Sequence, residues 1–376
     1  MHITGHIHQT VLLLGPALTA VSGVSTHLNQ LLRTDLAQHF RLLHFQVGSE
    51  GRYESSLRKL WRLLVSPWQL AKTIRRYQHP IVHINTSMNA KAFWRDLAYL
   101  IVSRSCGCKV VYQVHGGDLP LDFTPDNELL RRLLRKVFRL PSVIVLLGEF
   151  QRTAYHAFSP DVELKVAPNA IEVDNLVGST ADIDADRPLR LVFMGRLAEV
   201  KGVFEAVEAV SLLRDEGVDV KLAIAGSGPD QQRLEQRIAE LGIADRVTMK
   251  GSVFGPEKDA LWLESEVFVF PTYHREGLPY ALLESMVART VPVTCEVGAI
   301  PEVMRDHREG LFVPPHDPRA LASSIKWLHE HRDQLTQYGD AARERVLSNH
   351  TLPRLGNRFL EIYENLGVTS VPAGAQ

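Results

Sequence analysis

The sequence predicts an α/β protein built from two doubly wound, Rossmann-like domains with parallel sheets that face each other across a cleft. Short apolar runs rich in Val, Ile and Leu alternate with longer segments of helical period, and this rhythm restarts near residue 189. Continuous apolar strands are buried on both faces, and strands separated by helices form parallel sheets. The polar stretch 178–188 separates the two series, so we expect domains at 1–177 and 189–352 joined by this linker.

The individual elements follow from these runs. In the first half, strands are expected at 11–15, 42–47, 81–85, 109–115 and 142–147, and helices near 24–39, 56–77, 90–104 and 127–139. In the second half, strands are expected at 189–195, 220–226, 246–251, 266–271 and 291–295. A last helix, about 353–376, is a candidate to pack back on the first domain. Open sheets of this kind bind ligands at the carboxyl ends of their strands.

Composition and charge limit the classes of partner. The chain has 376 residues, of which 45% are hydrophobic and 23% are charged, and its formal net charge is −1. Residues 1–185 carry 20 Lys/Arg and 15 Asp/Glu, whereas the rest carries 22 and 28. This asymmetry is too weak to indicate a nucleic acid partner, but it is compatible with an anionic membrane or a phosphorylated substrate.

Cysteines and hydropathy indicate the compartment. Cys106, Cys108 and Cys295 are an odd and sparse set, which is typical of a reducing cytoplasm. No histidine or cysteine pair complements Cys106 and Cys108 at the spacing of a metal finger, so no metal site is expected. No run of 18 apolar residues occurs, and the first ten residues lack an apolar signal region, so neither a transmembrane helix nor a signal peptide is expected.

Two strand-to-helix turns in the second half suit an anion. Arg196 follows a strand and Lys201 begins the next helix, where free backbone N–H groups and the helix dipole add to their charge. The alternative is a pair of surface cations. The turn AGSGPD (225–230) permits close backbone approach, but neither GxGxxG nor the Walker pattern occurs, so no nicotinamide or P-loop site is supported.

The stretch EGLPYALLESM (276–286) raises a question of pairing. Pro279 suits the first turn of a helix and leaves the next amides free for a phosphate. Glu276 and Glu284 would be repelled by that phosphate, and sugar hydroxyls are fitting partners for them. The alternative is that Glu276 is a solvated loop residue and Glu284 caps a helix.

These segments occur together in an order that resembles a known family. Besides the Glu-x7-Glu segment, the motifs are FMGRLAEVKG, IAGSGP, PNAIEVD (168–174), VGAIPEV (297–303) and GLFVPP (310–315). From the first strand to about residue 350, the chain resembles the retaining glycosyltransferases of family 4 (glycosyl transferases group 1), which have the GT-B architecture.

The resemblance implies roles for residues of the second domain. Arg196 and Lys201 would bind the donor diphosphate, Glu276 would contact the donor sugar and act in catalysis, and Glu284 would hold the nucleotide ribose. The backbone at Tyr280, Ala281 and Leu282 would lie near phosphate and sugar, and Val253 would lie beside the nucleobase.

In the first domain, the resemblance assigns Gly23 to a glycine-rich loop that approaches the diphosphate. Many family members have two adjacent glycines there, whereas this chain has Ser22 and Gly23, and Ser22 would offer a hydroxyl instead. His115 matches a histidine that faces the donor sugar and is counted with the catalytic residues, and Asp118 would orient the acceptor or the loop.

The activity implied is transfer of a sugar from a nucleotide diphosphate donor to an acceptor hydroxyl with retention, without a metal or further cofactor. A UDP-sugar is favoured over a GDP-sugar, and the acceptor would be a glycan or a lipid-linked glycan in envelope polysaccharide assembly. The expected location is cytoplasmic, at most peripheral at the inner face of the membrane. A nucleotide-sugar-binding protein without transfer activity and a nucleotide-sugar epimerase are the alternatives.

The segment 56–78 stands apart from these motifs. It mixes Leu and Trp with Arg and Lys, which is typical of a helix that lies on an anionic membrane, and Pro67 is expected to interrupt it. A crossover helix that packs on the sheet with a solvated basic edge is the alternative, and both interpretations stay open here.

Overall fold

The computed structural model describes residues 9–52, 54–177 and 187–367. They form two compact units, one running up to Ala170 and taking up the chain again from Leu352, and the other comprising Ile171–Thr351. Residues 178–186 of the expected linker lie outside the described residues.

The first unit is a six-stranded parallel sheet with helices on both faces. Its strands are β1 (Thr10–Gly15), β2 (Arg41–Gln46), β3 (Ile81–Met88), β4 (Val110–Gly117), β5 (Val143–Leu146) and β6 (Leu164–Val166). Its helices are α1 (Gly23–Leu32), α2 (Leu36–His39), α3 (Ser56–Arg76), α4 (Ala90–Ser105), α5 (Pro120–Phe123), α6 (Glu128–Phe138) and α7 (Glu149–Phe158), with α15 (Leu352–Glu364) from the end of the chain. The strand order is β2-β1-β3-β4-β5-β6.

Alternate residues of these strands supply two hydrophobic cores. Leu12 and Leu14 of β1 pack in the core that α3, α4, α6 and α7 cover. Val11 and Leu13 point to the opposite face, which is covered by α1, α2 and α15. Burial on both faces explains why these strands read as continuous apolar runs.

The second unit repeats the architecture. Its strands are β7 (Leu189–Met194), β8 (Val220–Ala225), β9 (Val247–Gly251), β10 (Val267–Phe270), β11 (Val291–Thr294) and β12 (Leu311–Phe312). Its helices are α8 (Val203–Asp215), α9 (Gln231–Glu240), α10 (Gly255–Glu264), α11 (Tyr280–Val287), α12 (Ile300–Val303), α13 (Pro318–Glu330) and α14 (Arg332–Asn349). The parallel sheet has the order β12-β11-β10-β7-β8-β9. Two doubly wound parallel sheets confirm the predicted fold class.

Several elements differ from the sequence prediction. The helix expected at 24–39 is two helices, because Thr34 donates its hydroxyl to the Leu31 carbonyl at 2.7 Å where α1 ends. Pro67 lies inside α3 and does not interrupt it, so that expectation is wrong. A proline removes only the bond to the carbonyl four residues earlier, here that of the exposed Leu63. The short strands β6 and β12 were not predicted.

Within the described residues, the helices are all too short or too polar to cross a membrane.

Candidate functional site

The second unit has a switch point between β7 and β10. The chain builds β8 and β9 on one side of β7 and then returns to place β10 on the other side. Loops that leave neighbouring strands in opposite directions open a crevice at the carboxyl ends of those strands. Arg196 and Lys201 follow β7, and Glu276 follows β10, so the residues singled out in these two loops meet at this point.

Two glycines hold these loops close to each other. Gly202 has φ +77°, and a Cβ there would lie 2.3 Å from the Pro271 carbonyl oxygen. Gly298 has φ +59°, and a Cβ there would lie 2.0 Å from the carbonyl oxygen of Glu276. Both positions require glycine for conformation and for space. They fix the backbone on either side of the Glu276 carboxylate.

Lys201 and Glu276 form an ion pair at this crevice. Nζ of Lys201 lies 2.5 Å from Oε1 of Glu276, and both side chains are largely buried. The Thr272 hydroxyl donates to the same carboxylate oxygen at 3.2 Å. Because Glu276 is only 9% exposed, the alternative of a solvated loop residue is wrong.

Cationic and amide groups lie next to this pair. Arg196 is exposed, and its guanidinium forms no hydrogen bond or ion pair with any residue that the structure describes. Helix α11 begins at Tyr280, with Pro279 as its N-cap, and Leu283 donates to the Pro279 carbonyl at 3.4 Å. The amides of Tyr280, Ala281 and Leu282 precede that bond and point out of the helix. Together these groups favour an anion.

Glu284 has partners that the sequence analysis missed. Lys258 donates to one carboxylate oxygen at 2.7 Å, and the indole of Trp262 donates to the other at 3.1 Å. Both partners lie on α10, one helical turn apart. Glu284 is the fifth residue of α11, so the alternative of a helix cap is wrong. Burial and the Glu284 charge raise the pKa of Tyr280 well above its usual value, and the phenol stays neutral.

Val253 lies in the loop between β9 and α10 and is buried. The hydroxyls of Ser252 and Ser227 meet at 3.1 Å, which ties this loop to the one that follows β8. Val253 thus belongs to the same edge of the sheet as Arg196, at the carboxyl end of the strands.

In the first unit, His115 lies near the end of β4 and contacts Asn85 of β3. Nδ2 of Asn85 donates to the Leu14 carbonyl at 3.1 Å, so the amide oxygen faces Nε2 of His115, 2.8 Å away. That oxygen can only accept, which assigns the proton of His115 to Nε2 and leaves Nδ1 as an acceptor. Burial and the nearby histidines keep the pKa of His115 well below its usual value.

His115 belongs to a group of three histidines, in which His27 and His83 are fully buried and His115 is half-buried. The ring of His27 lies 4.6 Å from that of His115. His83 bonds the hydroxyl of Tyr363 at 2.8 Å and the side-chain oxygen of Gln113 at 3.0 Å. Burial lowers the pKa of His27 to about 4 and that of His83 to about 3. All three rings are neutral at physiological pH and offer hydrogen bonds without charge.

Gly23 is the first residue of α1, and Ser22 is its N-cap. The Ser22 hydroxyl accepts from the Ser25 amide at 3.3 Å, so the residue that replaces a second glycine caps the helix. A Cβ on Gly23 would meet no atom within 4 Å. Asp118 is the residue directly after β4, and it is exposed.

The described part of the chain shows no group of three His, Cys, Asp or Glu side chains that could hold a metal ion. Cys106, Cys108 and Cys295 are free.

Two doubly wound parallel sheets in one chain are the architecture of the GT-B class of glycosyltransferase folds. Sucrose-phosphate synthase from Thermosynechococcus elongatus has this fold at a TM-score of 0.76 and 18% identity, over 96% of this chain and 99% of that one. Anabaena Alr3699/HepE, solved in complex with UDP, has a TM-score of 0.73 and 17% identity, over 95% of this chain and 100% of that one.

Sequence comparison gives the family. Residues 182–345 match the model of glycosyl transferases group 1, and residues 21–175 match that of glycosyltransferase family 4. The chain therefore belongs to the glycosyltransferases of family 4, glycosyl transferases group 1. The putative colanic acid biosynthesis glycosyltransferase WcaL of Escherichia coli K12 is 32% identical over 189 residues, which are 48% of this chain. The match spans 47% of that relative, about half its length.

Proposed function

We propose that this protein transfers a sugar from a nucleotide diphosphate donor to an acceptor hydroxyl, and that its second unit binds the donor. The observation that carries the proposal is the buried pair of Lys201 and Glu276 at the switch point, beside the first turn of α11. A cation and a carboxylate held together suit a ligand that has an anionic part and a part rich in hydroxyl groups.

In this proposal, the diphosphate lies against Arg196, Lys201 and the amides of Ala281 and Leu282. Arg196 supplies an exposed guanidinium, and Lys201 supplies an ammonium that Glu276 holds in place. Cations and a helix N-terminus neutralise the leaving diphosphate, which is otherwise a task for a divalent ion. We therefore propose that transfer needs no metal, and we expect chelation by EDTA to leave the rate unchanged.

The sugar and the nucleoside take the remaining groups. Glu276 accepts donor-sugar hydroxyls and stabilises positive charge that develops at the anomeric carbon. The backbone at Tyr280 lies near this sugar. Glu284 holds the ribose, in exchange for one of its present partners on α10, and Val253 lies beside the base. Uridine is the favoured base, and the UDP complex of the Anabaena protein, which has the same fold, supports this choice.

From the first unit, we propose that His115 hydrogen-bonds the donor sugar and that Gly23 lies near the diphosphate. Because Nε2 of His115 donates to Asn85, its free Nδ1 is an acceptor for a sugar hydroxyl. The open space around Gly23 fits an approaching ligand.

We further propose retention at the anomeric carbon, with the departing phosphate taking the acceptor proton on the same face of the sugar. The anomeric coupling constant of the product in a proton NMR spectrum, compared with that of the donor, tests this assignment. Opposite configurations in donor and product would contradict it.

The proposed acceptor is a glycan or a lipid-linked glycan, and the proposed location is cytoplasmic, peripheral at the inner face of the membrane. The similarity to an Escherichia coli protein named for colanic acid biosynthesis supports a role in envelope polysaccharide assembly.

Calorimetric titration with UDP and with uridine tests the donor site. We expect Lys201→Met and Arg196→Met each to weaken UDP binding by roughly 10- to 100-fold, since a hydrogen bond to a charged group contributes about 1.5–3 kcal/mol. Uridine binding should change little. Lys221→Met is the matched control, because this exposed lysine of β8 bonds the Asp245 carbonyl at 2.7 Å and no other group in the described residues. Equal UDP affinity in all four proteins would contradict the proposal.

Acceptor-dependent release of UDP then separates a transferase from the alternatives. An epimerase would convert the donor sugar without releasing UDP. A binding protein would bind the donor and release no UDP with any acceptor.

A further inference from the structure

Helix α3 is amphipathic, and its core-facing side is short. Ser66, Leu70 and Ile74, spaced four residues apart, are its buried residues. The Tyr99 hydroxyl of α4 donates to the Ser66 hydroxyl at 2.8 Å, which anchors this side of α3 to the neighbouring helix. The crossover-helix interpretation therefore holds for the C-terminal half of α3, where Leu70 and Ile74 join the core.

A second apolar face lies on the other side of the same helix. We call it the α3 stripe: Leu57, Trp61, Leu64 and Trp68. Their spacing of four, three and four residues places them on one face. Their exposed fractions are 80%, 64%, 68% and 77%. Since the core takes up the opposite side, nothing in the described parts of the chain covers the stripe. Large apolar side chains grouped on one exposed face mark an interaction site.

The positive charge of α3 indicates that its partner is anionic. The helix carries Arg58, Lys59, Arg62, Lys72, Arg75 and Arg76 and has no Asp or Glu. Lys72 and Arg75 continue the line of the stripe beyond Trp68 at the same spacing, so one face is apolar at its start and basic at its end. Arg62 is the cation of α3 that pairs with Glu54, at 3.0 Å.

This combination fits an anionic lipid surface. Tryptophan prefers the boundary between headgroups and acyl chains, where its apolar ring and its polar N–H are both satisfied. Basic side chains beside such a face are attracted by anionic headgroups. A second copy docking through the same face would bring Lys72 and Arg75 of both copies into one interface, which is unfavourable.

We propose that the α3 stripe inserts into the headgroup region of an anionic phospholipid bilayer, with α3 lying along the surface. This location extends the proposed function, because an enzyme held there would meet a lipid-linked acceptor. The binding itself requires no transfer activity and is measured without donor or acceptor.

Co-sedimentation of the full chain with vesicles tests the proposal. The vesicles contain phosphatidylglycerol mixed with phosphatidylcholine, or phosphatidylcholine alone, at low and at high ionic strength. We expect binding to the mixed vesicles at low salt, weaker binding at high salt, and little binding to phosphatidylcholine alone. The double variant Trp61→Gln, Trp68→Gln should reduce the partition coefficient roughly tenfold or more. Lys72→Gln with Arg75→Gln should reduce the preference for phosphatidylglycerol.

Trp94→Gln is the matched control. Trp94 is half exposed on α4, outside the stripe, and its loss should leave binding unchanged. UDP affinity is also measured on every variant. A variant that binds UDP normally but no longer binds vesicles has lost the membrane site alone, and a protein that binds vesicles but not UDP lacks the donor site alone.

Three results would overturn the proposal. The first is no sedimentation of the wild type with the mixed vesicles at low salt. The second is equal binding of wild type and of the Trp61, Trp68 double variant. The third is a dimer in sedimentation velocity that this double variant dissociates, which would show that a second copy covers the stripe.

Discussion

The two units share an architecture and differ in the chemistry at their switch points. Counted from its own first strand, the second unit has the order 3-2-1-4-5-6, as in doubly wound dinucleotide-binding sheets, and the first unit has 2-1-3-4-5-6, a flavodoxin-like order with one more strand. The second unit places the charged pair of Lys201 and Glu276 at its switch point. Near the carboxyl edge of its sheet, the first unit places the neutral ring of His115, which is bonded to Asn85.

This difference shows that the fold supplies the position and the loops supply the chemistry. Cations beside a helix N-terminus suit phosphate, whereas neutral rings offer hydrogen bonds to hydroxyl groups without attracting ions. In the proposed function, the charged switch point therefore handles the leaving group, and the neutral one handles the sugar.

The largest effect on activity is expected from a substitution that removes a negative charge from the second unit. Glu276→Gln keeps the shape of the side chain and its bond to Thr272, but it loses the negative charge beside Lys201. We expect the turnover number to fall about 10²- to 10³-fold, which is typical when one group that stabilises developing charge is removed. Initial rates of UDP release in the presence of acceptor measure it.

Glu240→Gln is the control for this variant, because Glu240 is an exposed carboxylate that pairs with Arg237 on α9. If the Glu276→Gln enzyme turned over at nearly the wild-type rate, the carboxylate would have no part in the reaction. The contrast between a charged second unit and a neutral first unit would then have no consequence for catalysis.

A smaller effect concerns the neutral histidines of the first unit. Their pKa values lie below the unfolded value of 6.5, so above that pH they cost no stability. As the pH falls below 6.5, the unfolded chain takes up protons that the folded unit refuses, and stability is lost. Between pH 6.5 and 5, this amounts to about 2 kcal/mol for each buried histidine.

Urea unfolding at pH 7 and pH 5 measures this loss. His27→Gln should remove one histidine's share of the pH dependence, whereas His156→Gln, at an exposed position of α7, should leave it unchanged. If wild-type stability were equal at both pH values, the histidines would not be held neutral by burial.

The smallest effect concerns the backbone that positions Glu276. Gly298→Ala should lower the free energy of unfolding by about 1–3 kcal/mol, because a strained φ and a contact with the Glu276 carbonyl coincide. Gly217→Ala has a similar φ of +75° with no atom within 4 Å of a Cβ, so it isolates the conformational cost. Urea midpoints and UDP affinity should both fall more for Gly298→Ala. Equal losses would show that the close contact is unimportant.

The sequence was sufficient for the fold because strands buried on both faces leave long apolar runs. It failed for β6 and β12, which have three and two residues and too little apolar pattern to detect. It also placed one helix at 24–39, since Thr34 leaves no apolar signal when it closes α1.

The candidate site was predictable where one motif contains its own chemistry. Lys201 and Glu276 were each identified from a loop motif, but their direct pairing was not, because it depends on the neighbouring positions of β7 and β10. Lys258 and Asn85 lie outside every motif identified in the sequence. Their roles arise from contacts between distant segments, with Glu284 and His115 respectively, and periodicity contains no information on those contacts.

The central claim is that the charged switch point of the second unit is where the diphosphate of the donor binds. A crystal structure of the protein with a UDP-sugar tests it most directly. We expect a phosphate oxygen within about 2.7–3.2 Å of the Lys201 ammonium or of an amide of the first turn of α11, with sugar hydroxyls at Glu276. A nucleotide bound elsewhere, touching none of these groups, would contradict the account.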